Sequence, residues 1–387
     1  MKKIAIVTTL WSSIDNWIKP FLNEYRDHGI DVTVICNMSE EYEQNLKAEF
    51  PFVHTKRIAF PRGIHVWRSL KSIRELKKFF RSTRFDLVQY ATPNASFYTS
   101  IAAKSAKIPI RLYCQWGMVY VTMTGIKRKL FYLVEKIICR SSTNVQPDSK
   151  GNLEFCRKAG FYGAEKSEVI WNGSAKGIDL SKFDFLQKEQ YAAEIKRQYS
   201  IPSKVPVIGF VGRLGREKGC NELFSAFRIL KEKYPDLRLL FVGPIEKEET
   251  IDPELLDYFK SCSDIIKTDR VKNIEKYISA MDVFVLPTYR EGFGMSVIEA
   301  SAMKVPVIVT KYPGPCGAVI PDVTGFAIDI KSVDQLVEKI DLLLSQEDLR
   351  KTMGENGRKF VEENFEQKEF IKRYMENRLS LLEGTKQ

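Results

Sequence analysis

Glu291 and Glu299 stand with seven residues between them, around the glycines of the run Thr288-Tyr289-Arg290-Glu291-Gly292-Phe293-Gly294-Met295. An apolar stretch, 283–287, precedes the run, and a helical pattern over 295–303 follows it. Glycine backbone at a helix start presents free N–H groups, which suits phosphate oxygens. Glu291 falls in the turn and Glu299 on the helix, so both can face one crevice. A carboxylate beside a phosphate site makes electrostatic sense when it accepts hydrogen bonds from sugar hydroxyls instead. Singly, Glu291 could serve the helix dipole and Glu299 a solvated face. Together around Gly-x-Gly they point to a ligand. A second run, 209–219, reads Gly-Phe-Val-Gly-Arg-Leu-Gly-Arg-Glu-Lys-Gly. Here a strand ends at Val211, Gly212 lets backbone approach a ligand, and Arg213 and Lys218 add the positive charge that a diphosphate needs. Alone, that run is equally a tight turn with two solvated cations.

These residues need elements to position them. Short apolar strand patterns at 4–8, 32–35, 86–90, 110–114 and 143–145 alternate with helical patterns at 17–27, 66–81, 96–107 and 128–139. After a polar stretch at 180–204 the scheme repeats, with strands at 207–211, 237–242, 283–287 and 305–309 and helices at 220–233 and 295–303. Such alternation predicts parallel sheets with helices on both faces, an α/β chain of two Rossmann-like domains. Open parallel sheets bind ligands beyond the carboxyl ends of their strands, so a cleft between the domains is the expected site. The expected boundaries are 1–180, 181–365 and a last helix within 366–387.

Composition excludes several classes. The 387 residues exceed one ordinary core, and 44% hydrophobic with 28% charged is the balance of a soluble globular protein. No run reaches membrane-spanning length, and the apolar start at 4–7 is too short for a secretory leader. Seven scattered cysteines without a Cys-x-x-Cys pair suggest reduced thiols in a cytoplasmic protein. Only His28, His54 and His65 are present, which argues against a His-rich metal site. The net charge is +11, and part of it clusters. Arg62, Arg68, Lys71, Arg74, Lys77, Lys78, Arg81 and Arg84 interleave with Trp67, Leu70, Ile73, Leu76, Phe79 and Phe80 at helical spacing. Lys127, Arg128, Lys129, Lys136 and Arg140 surround a second apolar stripe. These are either solvated helix faces or surfaces for an anionic membrane or a phosphorylated acceptor. No nucleic-acid-binding motif accompanies them.

The segment 282–300 resembles the donor-binding signature of family 4 retaining glycosyltransferases. The likeness extends over nearly the whole chain, through Gly212-Arg213, Lys218-Gly219, Gly177-Ile178-Asp179, Phe241-Val242-Gly243 and Thr324-Gly325-Phe326. It is greatest to bacterial enzymes of capsule, O-antigen and exopolysaccharide synthesis. The resemblance implies a GT-B fold: an acceptor-binding N-terminal domain and a nucleotide-sugar-binding C-terminal domain face each other across a cleft, and the last helix crosses back onto the first. It implies that Arg213 and Lys218 hold the donor diphosphate, that Glu299 contacts the ribose and Glu291 the donor sugar, and that Gly292, Phe293, Gly294 and Met295 line the pocket. Arg270 and Val271 would lie against the base, with UDP as the expected carrier. Catalysis would rest on Arg213, Lys218 and Glu291. Charge developing on the departing diphosphate would be held by the two cations and the helix start, with no metal or other cofactor. Departures from the pattern fall in the first domain. The first loop, 8–13, lacks the glycine pair common in the family, and Gln115-Trp116-Gly117 stands where many members carry a histidine. Trp11, Ser12, Gln115, Trp116 and Gly117 are the acceptor-side candidates, Gln115 by hydrogen bonding and Trp116 by stacking, with Trp116 equally readable as core.

The expected activity is transfer of a hexosyl or N-acetylhexosaminyl group to a glycan or polyprenyl-linked acceptor, in the cytoplasm, either free or peripheral at the inner face of the cell membrane. A nucleotide-sugar epimerase of similar architecture and a non-catalytic sugar-nucleotide-binding protein are the alternatives. Three histidines, none near a motif, fit the epimerase poorly.

Overall fold

The computed structural model describes residues 1–61 and 66–384. Arg62 and His65 lie outside the described residues. The chain forms two compact units, Met1–Lys176 with Lys368–Gln387, and Gly177–Gln367. The boundary falls at Gly177 because the two chain crossings pair: Ile178 N–H donates to Phe365 O at 2.7 Å, and Gln367 N–H to Ile178 O at 2.9 Å.

The first unit holds β1 (Lys2–Leu10), β2 (Ile30–Asn37), β3 (His54–Arg57), β4 (Leu87–Tyr90), β5 (Ile110–Gln115) and β6 (Asn144–Pro147). They form one parallel sheet in the order β3-β2-β1-β4-β5-β6. Strand alternation sends successive side chains to opposite faces, and two cores result. Ile4 and Ile6 join Val32, Val34, Leu87 and Leu112 on one face, with Phe21, Leu22 and Tyr25 of the helix Lys19–Asp27. The last helix, Gln367–Glu383, covers the same face through Phe370, Tyr374, Met375 and Leu382. Ala5, Val7, Val88 and Tyr90 pack on the other face under the helices Val66–Thr83, Pro93–Ser105 and Gly125–Ser141.

The second unit repeats the plan. Its strands are β7 (Val207–Val211), β8 (Arg238–Val242), β9 (Ile265–Thr268), β10 (Val283–Leu286), β11 (Val307–Thr310) and β12 (Gly325–Ile328), all parallel, in the order β12-β11-β10-β7-β8-β9. In both sheets the first strand lies between the second and the fourth. That is the doubly wound order whose switch point opens a crevice at the strand ends.

Several expectations change. The helical pattern at 17–27 is two helices, Trp11–Trp17 and Lys19–Asp27, with Pro20 in the first turn of the second. The stretch 8–13 is not a loop: β1 runs to Leu10 and a helix starts at Trp11. The polar stretch 180–204 contains the helix Lys188–Gln198, which packs against Ile274–Ser279. All seven cysteines are free, and Cys36, Cys114, Cys139, Cys156 and Cys220 are buried. No helix among the described residues is long and apolar enough to cross a membrane.

Glu135, on the helix Gly125–Ser141, is buried beneath the sheet face. It accepts hydrogen bonds from Tyr113 Oη at 3.0 Å and Gln115 Nε2 at 2.5 Å. Burial pushes its carboxyl up to about 7, against the pull of those two bonds. A carboxyl whose folded pKa is raised favours folding below its unfolded pKa, and that contribution is lost as pH rises through the folded value. Between about pH 4.5 and 7 this side chain should therefore cost on the order of 3 kcal/mol of stability. Glu135→Gln keeps the acceptor oxygen and removes the titration. Urea unfolding at pH 5 and pH 8 should show a smaller fall in stability for the variant than for wild type.

Candidate active site

The site is built where β7 and β10 lie side by side. After β7 the chain turns through Gly212, Arg213, Leu214 and Gly215 into a 3-10 turn, Arg216–Lys218, then the helix Cys220–Lys233. Gly219 joins the two helical pieces with φ +74, and a Cβ there would strike the carbonyl oxygen of Pro287 at the end of β10. Only glycine lets the two loops close to this distance. Gly294, with φ +94, caps the helix Met295–Ala302 from the β10 side. Thr288 hydroxyl donates to Glu217 O at 2.9 Å, Tyr289 N–H to the same oxygen at 3.1 Å, and Thr310 hydroxyl to Thr288 O. The ends of β7, β10 and β11 are thus laced together.

The charged side chains meet on this platform. Lys218 Nζ lies 2.5 Å from Glu291 Oε2, linking the two runs singled out by sequence. Glu217, nearly buried, sits among three cations: Lys247 Nζ at 2.7 Å, Arg290 at 3.3 Å and Arg213 at 3.6 Å. Burial pushes the Glu217 carboxyl up, but the hydrogen bond from Lys247 and the charges of Arg290 and Lys247 more than reverse it, holding its pKa below the usual value. Burial also lowers the pKa of Arg290. Glu246 lies 3.8 Å from Arg213 and 3.4 Å from Arg270, which ties the loop after β9 to the turn after β7.

Gly212, Arg213, Lys218, Glu291, Gly292, Phe293, Gly294 and Met295 therefore gather around the ends of two neighbouring strands. Glu299 is half-exposed on the helix that follows, and Val271 lies in the loop after β9. Phe293 turns its ring inward, 5.2 Å from Phe365, so only its backbone can reach a ligand. Sequence reasoning missed Glu217, Lys247 and Arg290. Two of these stand inside the quoted runs, but Lys247 follows β8 and reaches the cluster only through the fold.

In the first unit the candidates separate. Trp11 is exposed, 5.0 Å from Tyr42, and Ser12 is half-buried beside it. Trp116 and Gly117 are half-buried at the end of β5. Gln115 as a sugar contact is corrected: it is fully buried, donates to Glu135, and accepts from Tyr162 Oη at 2.8 Å. Its amide is committed to the core.

Comparison with known proteins decides the family. The model described as "Glycosyl transferases group 1" matches residues 192–360, and "Glycosyl transferase 4-like" matches 7–149. The capsular polysaccharide biosynthesis glycosyltransferase CapM of Staphylococcus aureus is 32% identical over 340 residues, 88% of this chain and 87% of that protein. The chain belongs to the group 1 glycosyltransferases. A Campylobacter jejuni enzyme, N,N'-diacetylbacillosaminyl-diphospho-undecaprenol alpha-1,3-N-acetylgalactosaminyltransferase, is 26% identical over 370 residues, 92% of this chain and 93% of its own. Among solved structures, HepE of Anabaena in complex with UDP-glucose superposes with TM-score 0.79 at 18% identity, over 98% of this chain and 100% of that one. The enzyme thus has the GT-B fold, and the epimerase alternative is set aside.

The platform generates a stability prediction. Gly219→Ala forces a side chain into left-handed backbone and against Pro287, so it should destabilise the enzyme by about 2–5 kcal/mol. Chemical denaturation of the purified variant measures this; a change below about 0.5 kcal/mol would contradict the close approach.

Proposed function

We propose that the enzyme transfers a hexosyl or N-acetylhexosaminyl group from a UDP-linked donor, with retention at the anomeric carbon, to a glycan or lipid-linked glycan during surface polysaccharide synthesis. The observation that carries this is the Lys218–Glu291 contact of 2.5 Å at the strand switch point, among Arg213, Lys247 and Arg290. A surplus of fixed cations beside helix-start N–H groups suits a diphosphate, and a carboxylate within reach suits the sugar attached to it. The relatives add support: one is named for capsular polysaccharide synthesis, another for a diphospho-undecaprenol acceptor, and a solved neighbour holds UDP-glucose.

In this reading Arg213 and Lys218 grip the diphosphate while Glu299 holds the ribose and Glu291 the sugar. The backbone of Gly292, Phe293, Gly294 and Met295 completes the pocket, and Arg270 and Val271 border the base. As the anomeric C–O bond breaks, its electrons pass to the departing UDP. Arg213 and Lys218 stabilise that charge more in the transition state than in the ground state. With these cations in place the reaction proceeds without a divalent metal. Trp11, Ser12, Trp116 and Gly117 remain the acceptor side in the first unit.

A thermal-shift screen tests the donor. UDP or a UDP-sugar at 100 times its dissociation constant should add about 2.7 kcal/mol of stability. The gain should persist in EDTA and fall to about 0.4–1.4 kcal/mol in Lys218→Ala, the value for a 10- to 100-fold weaker ligand. Turnover in that variant should fall about 100- to 1000-fold. No stabilisation of wild type by any uridine nucleotide would refute the donor assignment.

Peripheral membrane contact is a second part of the proposal, favoured by what the basic helices expose. Leu76 and Phe80 of Val66–Thr83 are buried, but Trp67 is 83% exposed. On Gly125–Ser141, Ile126 is 85% and Leu133 53% exposed. Both helices pack on Pro93–Ser105 on one face of the sheet, and their outward cations include Arg68, Lys71, Arg74, Lys127, Arg128 and Lys129. Apolar side chains among cations suit an anionic bilayer, at about 1 kcal/mol per cation near the surface. The enzyme should float with phosphatidylglycerol vesicles at low salt and not with phosphatidylcholine vesicles. Equal recovery with both, or none with either, would remove this part of the proposal.

A further inference from the structure

The second unit carries a hollow of about 320 Å³ at the amino ends of β10 and β11. The donor platform lies at the carboxyl ends of the same sheet and uses none of it. One wall is the helix face that carries Lys188, Ala192 and Lys196 of Lys188–Gln198. Asp282, just before β10, and Lys304 and Pro306, just before β11, add to the lining. Arg350 and Lys351 reach it from the helix Glu347–Asn364.

Five cations thus line the hollow against two carboxylates, Asp282 and Glu347. Two of the five have carboxylate partners: Lys351 with Glu347 at 2.6 Å and Lys304 with Glu355 at 2.8 Å. The other three hydrogen-bond only to backbone carbonyls among the described residues. Lys196 donates to Ser203 O at 2.8 Å and Val205 O at 3.2 Å, pinning the chain that follows its own helix. Arg350 Nη1 donates to Leu343 O at 2.9 Å and Leu344 O at 3.3 Å, capping the end of the helix Val333–Ser345. Lys188 donates to Lys304 O at 2.9 Å and has no ion pair. Burial pulls its pKa down to about 8, and the charges of Lys304 and Arg350 pull the same way against Asp282 and Glu355. Burying a cation without a carboxylate is costly, and an anion arriving in the hollow would offset that cost. Donors remain for one. An ammonium has three N–H groups and a guanidinium five, so Lys188 keeps two and Arg350 keeps those on Nη2 and Nε.

We propose that this hollow binds a small phosphate monoester, its phosphoryl oxygens bonded by Lys188 and Arg350. Ala192, Met281 and Pro306 give the carbon skeleton an apolar wall. Asp282, which accepts the Val207 N–H at 2.8 Å, opposes a bare anion and suits a ligand that also carries hydroxyl groups. The space admits a phosphoryl group with a short polyol or one sugar ring. This ligand is distinct from donor and acceptor, and its binding does not depend on the transferase reading.

Calorimetric titration of glucose 6-phosphate and glycerol 3-phosphate into the full chain tests it. At least one should bind wild type. Lys188→Met should weaken that binding about 10-fold or more, the loss of a charge-assisted hydrogen bond, while its stabilisation by UDP stays as in wild type. Lys188→Arg should keep the phosphate ester, which separates loss of charge from loss of folding. Lys218→Ala should leave the ester's affinity unchanged, because that lysine belongs to the donor platform. No binding of either ester to wild type, or full affinity in Lys188→Met, overturns the site. So does a loss in Lys218→Ala as large as in Lys188→Met, which would place the ester on the donor platform. Capture of phosphatidic acid vesicles that Lys188→Met abolishes, without binding of either soluble ester, would assign the hollow to a lipid headgroup and overturn the free ligand. Failure of UDP to stabilise wild type while the esters behave as described would overturn the donor assignment and leave this site standing.

Discussion

Four cations, Arg213, Lys218, Lys247 and Arg290, are held at the carboxyl end of the second sheet by three carboxylates. Like charges this close repel, so the arrangement exists only because Glu217, Glu246 and Glu291 are interleaved with them. Glu217 is the centre of that balance, nearly buried and touching three of the four. Everything around it serves to keep the loops in register: Thr288 and Tyr289 bond the Glu217 carbonyl, and Gly219 admits Pro287. Lys218 pairs outside the Glu217 cluster, with Glu291. A diphosphate that draws Lys218 away from Glu291 would leave that carboxylate one partner fewer, so binding the two halves of the donor would be linked.

The same strand order occurs in both units, yet only one switch point is charged. In the first unit the corresponding gap between β1 and β4 is closed by Thr9 and Thr92. The Thr9 N–H donates to the Thr92 hydroxyl at 2.9 Å, the two hydroxyls lie 2.7 Å apart, and Ala95 N–H reaches Thr9 at 3.3 Å. Polar groups there satisfy each other. In the second unit the polar groups are ionic and in surplus on the cationic side. Equivalent topology thus carries different chemistry, and the difference lies in a few loop residues.

How legible this was in the sequence follows from where the signal resides. Strands buried on both faces, such as Val207–Val211, read as apolar runs and were found with their bounds. His54–Arg57 is an exposed edge strand of polar residues and gave no run to read. The runs 209–219 and 288–295 were legible because glycine spacing and charge are local. Lys247 was not, since β8 and its loop separate it from the cluster in sequence. Gln115 misled for a related reason. An amide at a strand end looks available, and only the fold shows Glu135 and Tyr162 converging on it.

The linkage between Lys218 and Glu291 is the central claim, and calorimetric titration of UDP into wild type, Lys218→Met, Glu291→Gln and the double variant tests it most directly. Lys218→Met should weaken UDP about 10- to 100-fold, the loss of a charge-assisted hydrogen bond. Glu291→Gln should tighten UDP, because it removes the lysine's competing partner, and should have no effect once Lys218 is gone. If Glu291→Gln weakens UDP as much as Lys218→Met does, or the two effects add independently, the ion pair is not what the diphosphate displaces and the account fails.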